Sequence, residues 1–140
     1  EMKRTVEEKA NGEPHVVPMP TQATELLRDL QRLTGRSLYV FPGQRDHERP
    51  MSDNSVRSAL YGLGFGTEQS WHGFRASART MLVDQLDLDP LAIEANLAHM
   101  VKDSNGRSYN RTKYLVKRFE MVQQWADYLD RIRLGEAVKE

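Results

Sequence analysis

Between Leu115 and Ile132 apolar side chains return at every third or fourth position: Leu115, Phe119, Val122, Trp125, Ala126, Leu129 and Ile132. A strand presents the same face every second residue, so this spacing demands an amphipathic helix, expected from about Ser108 to Leu134, whose apolar stripe must be covered by other elements. Helical patterning dominates the rest of the chain as well. Pro20-Thr21 opens a helix, with Thr21 as its cap, Leu26, Leu27, Leu30 and Leu33 on one face, and Gly35 at its end. Asp53 or Asn54 caps the next, with Val56, Ala59, Leu60 and Leu63 on its apolar side and Gly62, Gly64 and Gly66 closing it. That glycine cluster follows a helix, so it is no dinucleotide fingerprint. Further helices are expected over Phe74–Leu86 and from Pro90 to about Met100, the latter followed by a turn at Asp103-Ser104-Asn105-Gly106.

Extended structure is confined to the front. Lys3–Val6 and His15–Pro18 read as two strands around the turn formers Ala10-Asn11-Gly12-Glu13. Leu38-Tyr39-Val40-Phe41 is short, apolar and ends at Pro42-Gly43, so it too reads as extended, with a polar loop from Gln44 to Pro50 behind it. The expectation is one domain over residues 1–140, mainly α within an α+β class: an antiparallel hairpin over 1–19 and a helical core over 20–140.

Several functions are excluded by what is missing. The 140 residues contain no cysteine, so there is neither a disulfide framework nor a thiolate metal site. No apolar run approaches the ~20 residues that span a bilayer. Glu1-Met2-Lys3-Arg4-Thr5-Val6 lacks the pattern of a secretory signal, and a cytoplasmic location is expected. Net charge is zero, yet from Ser70 to Arg118 eight bases (Arg75, Arg79, Lys102, Arg107, Arg111, Lys113, Lys117, Arg118) outnumber five acids (Asp84, Asp87, Asp89, Glu94, Asp103). A positive surface can therefore exist inside a neutral chain.

Four residues in this stretch suit phosphoryl transfer. His72 and Arg75, three apart at the start of a helix, share a face. His99 closes the next helix, and Tyr109 follows the Asn105-Gly106 turn. Arginine offers a planar, permanently charged fork to two non-bridging phosphate oxygens. Histidine donates a hydrogen bond or moves a proton near neutral pH. A tyrosine hydroxyl can attack phosphorus and hold a strand covalently. Each has a plainer reading: a surface pair for His72 and Arg75, a helix-end cation for His99, and Tyr114 and Tyr128 as rivals to Tyr109. Asn110-Arg111-Thr112 also matches a glycosylation acceptor, a coincidence in a chain with no other secretory feature.

The wording around these residues is more specific. His72-Gly73-Phe74-Arg75-Ala76-Ser77-Ala78-Arg79-Thr80-Met81-Leu82 resembles the second conserved box of phage-type integrases, the prophage and genomic-island branch of the tyrosine recombinases. Ile93-Glu94-Ala95-Asn96-Leu97-Ala98-His99 is similar to another box of that family, and Tyr109-Asn110-Arg111 to its nucleophile motif. Met121–Asp130, with Gln124-Trp125-Ala126-Asp127-Tyr128-Leu129, resembles its tail. His15-Val16-Val17-Pro18-Met19, Phe41-Pro42 and Arg49-Pro50-Met51-Ser52 fit as well, in the same order along nearly the whole chain.

The resemblance implies a helical catalytic core with a short N-terminal hairpin, and site-specific recombination of a mobile element through a 3′-phosphotyrosyl intermediate. Tyr109 would be the nucleophile, Arg75 and His99 the phosphate ligands, and His72 the proton acceptor. Lys3, or alternatively Lys9, would be the acid for the departing 5′-oxygen. Arg79, Arg107 and Arg111 would contact DNA. It implies neither metal nor other cofactor, no small-molecule substrate, and attachment sites on double-stranded DNA bound by a homotetramer. It also implies a further catalytic arginine ahead of the hairpin. Arg36 lies after the hairpin, in the wrong order, so the expectation is a catalytic domain truncated at its N-terminus. Such a chain alone would be inactive or nearly so, since losing one oxyanion donor costs ~10²–10³ in rate. The alternative is a non-catalytic DNA-binding remnant of a recombinase. A helical interaction protein leaves the combined motifs unexplained, and a type IB topoisomerase leaves the Tyr-Asn-Arg and tail boxes unexplained.

Overall fold

The computed structural model describes residues 15–98 and 114–136. Lys3, Lys9, the first limb of the expected hairpin, His99, Arg107, Tyr109 and Arg111 lie outside the described residues. Within them the chain is mainly helical: α1 (Thr21–Thr34), α2 (Ser55–Gly62), α3 (Trp71–Asp84), α4 (Pro90–Asn96) and α5 (Leu115–Arg133). No strand occurs among the described residues, and His15–Pro18, expected as the second limb of the hairpin, has no regular secondary structure. The chain divides into two compact units, one over Thr21–Asp84 and one formed by Glu1–Pro20 with Gln85–Glu140.

In the first unit, α1 starts at Thr21, already helical rather than capping, and ends where the Gly35 N–H meets Gln31 O at 2.8 Å. Thr34 Oγ1 then donates to both Leu30 O and Val40 O at 3.1 Å, tying the helix to the chain that follows. That following chain, Leu38–Phe41, is a series of bends rather than a strand. Pro42 and Pro50 face each other as an isolated antiparallel bridge, held by Gly43 N–H to Arg49 O and Met51 N–H to Phe41 O, both 2.8 Å. In a pair of this type the N–H positions of the opposed residues point outward, so the two prolines leave the clasp intact and offer no donor to a third strand. The loop inside this clasp is ordered by Asp46, which accepts from Glu48 N–H at 3.0 Å and pairs with Arg49 at 3.3 Å.

Helix α2 is entered at Asn54, whose side chain makes no capping hydrogen bond. Its exit needs two of the expected glycines for different reasons. Gly64 adopts φ +88°, a left-handed conformation. Gly66 lies under the Tyr61 ring, where an added Cβ would sit 2.3 Å from Cγ.

The second unit carries most of the described core: Ala92, Ile93 and Ala95 from α4, Tyr114, and Met121, Ala126 and Tyr128 from α5. Asp89 caps α4 by accepting from Leu91 N–H at 2.9 Å, and Pro90 takes the first helical position, where its missing N–H costs nothing. Lys117 closes the other carboxylate oxygen of Asp89 at 3.3 Å. The expected run of α4 to Met100 is not seen. The helix ends at Asn96, and Ala98 turns to φ +57°.

Along α5 the buried stripe is displaced from the one the sequence suggests. Tyr114, Arg118, Met121 and Tyr128 face inward, whereas Phe119 and Leu129 are 49% and 43% exposed. Trp125 stacks on Tyr128 with centroids 5.7 Å apart. The two stripes share Trp125 and Ala126, the latter buried as expected, and elsewhere differ by one position, a rotation of about 100° on a helix. No helix of the described residues is long and apolar enough to cross a membrane.

Candidate active site

The start of α3 is set by a local cap. Ser70 Oγ accepts from Gly73 N–H at 2.9 Å, and the Ser70 N–H donates to Gln69 Oε1 at 3.0 Å. The helix therefore begins at Trp71, and His72 and Arg75 fall on one face of its first turns, as their spacing predicts. Arg79 continues that face one turn on. All three side chains are exposed. The first turn of the helix itself holds no carboxylate, so the partial positive charge of the helix N-terminus is not offset from within that turn. Ser70→Ala is expected to lower stability by about 1 kcal/mol, read as a drop in the thermal unfolding midpoint. An unchanged midpoint would show that the cap contributes nothing.

The other end of the predicted constellation is described up to the residue before His99. α4 brings the chain to Asn96, Leu97 N–H reaches back to Ile93 O at 2.9 Å, and Ala98 follows in the left-handed region. Holding an L-residue other than asparagine or aspartate there costs about 1–2 kcal/mol. Ala98→Gly is therefore expected to raise the thermal midpoint, less the added freedom of glycine in the unfolded chain. A lower midpoint would contradict strain at this position.

Sequence reasoning missed one group. Arg118, 1% exposed, is the buried charged side chain among the described residues. Its Nε donates to Asn96 Oδ1 at 3.2 Å and its Nη2 donates to Val16 O. Asn96 O in turn accepts from His15 Nε2 at 3.2 Å. This ties the segment before α1, the end of α4 and the start of α5 together, and Pro18 in that first segment is itself buried. The signal was present: Tyr114, Arg118, Met121, Trp125 and Tyr128 alternate by four and three, so Arg118 stands in an apolar stripe where a cation is unexpected.

Curated proteins match over most of the chain. It is 39% identical over 122 residues to prophage integrase IntZ of Escherichia coli, covering 87% of this chain and 30% of that protein. It is 40% identical over 117 residues to prophage integrase IntS of Escherichia coli, covering 83% of this chain and 30% of that protein. The integrase of Shigella phage Sf6 is likewise 40% identical over 117 residues, 83% of this chain and 30% of that protein. The chain thus spans about a third of the length of the curated relatives it matches. No known family pattern matches it in a family scan, and no solved structure matches it.

Proposed function

This chain belongs to the phage and prophage integrases, of whose length it spans about 30%, and on that premise we propose that it carries the strand-cleaving chemistry of a tyrosine recombinase. The Tyr109 hydroxyl attacks the scissile phosphorus and its proton passes to His72. The bond to the 5′-oxygen breaks, leaving a 3′-phosphotyrosyl link, and Lys3, or alternatively Lys9, protonates the departing 5′-oxygen to give the 5′-hydroxyl. Arg75 and His99 hold the non-bridging oxygens, on which the transition-state charge accumulates. The 5′-hydroxyl of a second strand then attacks the phosphotyrosine and returns the phenol. One phosphate ester replaces another in each step, so the bond energy is retained and no nucleotide is consumed.

Arg79, Arg107 and Arg111 contact backbone phosphates, which fix register rather than read sequence. The substrates are paired attachment sites on double-stranded DNA, held by four copies of the protein. The observation that supports this reading most directly is the front of α3, where His72 and Arg75 share an exposed face of a helix whose own first turn carries no acidic residue.

The experiment is covalent trapping. The full polypeptide that the gene encodes is incubated with nicked DNA from the element's own junction and run on a denaturing gel. A protease-sensitive, DNA-linked band is expected. Salt-sensitive binding without any band would replace the enzymatic reading with that of a DNA-binding remnant.

A further inference from the structure

Arg118 has no part in the chemistry above, yet its environment is costly. A buried guanidinium gives up its hydration, and a methionine or leucine in the same stripe as Tyr114, Met121 and Tyr128 would fill the space without that loss. What the cation supplies is a rigid fork of donors. One branch reaches Asn96 Oδ1, 22 positions away in sequence, at 3.2 Å, and the other reaches Val16 O, 102 positions away. Asn96 is held a second time through its backbone, where its carbonyl accepts from His15 Nε2 at 3.2 Å. Both polar ends of the last residue of α4 are thus fixed by groups distant in the chain. Two residues later Ala98 takes φ +57°. A strained conformation of this kind persists only where the surroundings over-determine it, and such places cluster at functional sites. The residue that follows Ala98 is His99.

We propose that Arg118 and Asn96 form a clamp that sets the direction in which the chain leaves α4 toward His99, making Arg118 a positioning residue for strand cleavage. The proposal rests on the reading of His99 as a phosphate ligand. Displacing a catalytic group by about 1 Å costs about 10²-fold in rate, and a clamp of this kind limits such displacement while touching neither DNA nor phosphate itself.

The test measures single-turnover covalent attachment and DNA affinity separately, in the full polypeptide. Arg118→Lys keeps the charge but loses the fork, and is expected to slow attachment about 10²-fold with DNA affinity unchanged. Asn96→Ala should behave alike, while Asn96→Asp, which keeps an acceptor for Arg118, should stay near the parent rate. That pair decides the matter if Arg118 variants fail to fold. In a His99→Gln background, Arg118→Lys should add no further loss, because coupled residues are not additive. The same loss in both backgrounds, or a parallel loss of affinity and rate, would overturn the clamp and leave the function reading standing. A His99→Gln variant as fast as the parent would instead remove His99 from the chemistry, and the clamp's role with it.

Discussion

Replacing Tyr109 with phenylalanine is expected to abolish the covalent protein–DNA complex while leaving DNA binding in place. The substitution removes one oxygen, the only atom that the proposed chemistry requires of this side chain, and keeps its shape. The burial of two rival tyrosines bears on the result. Tyr114 and Tyr128 are 8% and 3% exposed. Tyr128 is also covered by Trp125, and Lys117 lies 5.7 Å from the Tyr114 ring centroid. Neither is placed to reach a phosphodiester without unfolding its part of the core. A band that survives Tyr109→Phe would direct attention to the exposed Tyr39 and Tyr61, and would end the case for Tyr109 as nucleophile.

The second large effect is expected at Arg75. Arg75→Ala should slow covalent attachment by at least ~10²–10³, the usual consequence of removing one preorganised donor from a developing oxyanion. Arg75→Lys should recover only part of the rate, since an ammonium supplies charge without the planar fork. Binding should weaken far less than the rate. One lost phosphate contact lowers the slope of log affinity against log salt by about 0.9, and that slope is measured in the same titration. A parent-like rate in Arg75→Ala would reduce the residue to a cation on an exposed helix face, which is the plainer reading of its spacing with His72.

Local rules carried the reading furthest where one turn of chain decides the outcome. α4 starts at Pro90 as expected, a local matter in which the Asp89 side chain meets its own backbone. The shared face of His72 and Arg75 follows from helix geometry alone. Errors arose where distant partners decide. Phe119, Leu129 and Ile132 form as good an apolar stripe as the neighbouring one. The buried choice went to the stripe containing Arg118, because that cation has acceptors waiting on Asn96 and Val16. No periodicity count rewards a buried charge. Likewise the end of α4 depends on Asn96 being held from outside, and alanine is not a residue that local preference places in a left-handed turn. Leu38–Phe41 has the composition of a strand, but the backbone pairing beside it is a single bridge between Pro42 and Pro50.

The facing prolines have a consequence beyond the loop they close. In an antiparallel pair of this type, the groups of the two opposed residues point outward, to where a third strand would attach. At Pro42 and Pro50 those outward positions offer no N–H at all. Directly beside them lie Leu38, Val40 and Phe41, which are 96%, 58% and 53% exposed, an apolar β-prone run of the sort that seeds edge-to-edge association. The prolines therefore act as gatekeepers. They let the chain display a sticky segment at its surface while denying neighbouring molecules the backbone template on which aggregation would grow.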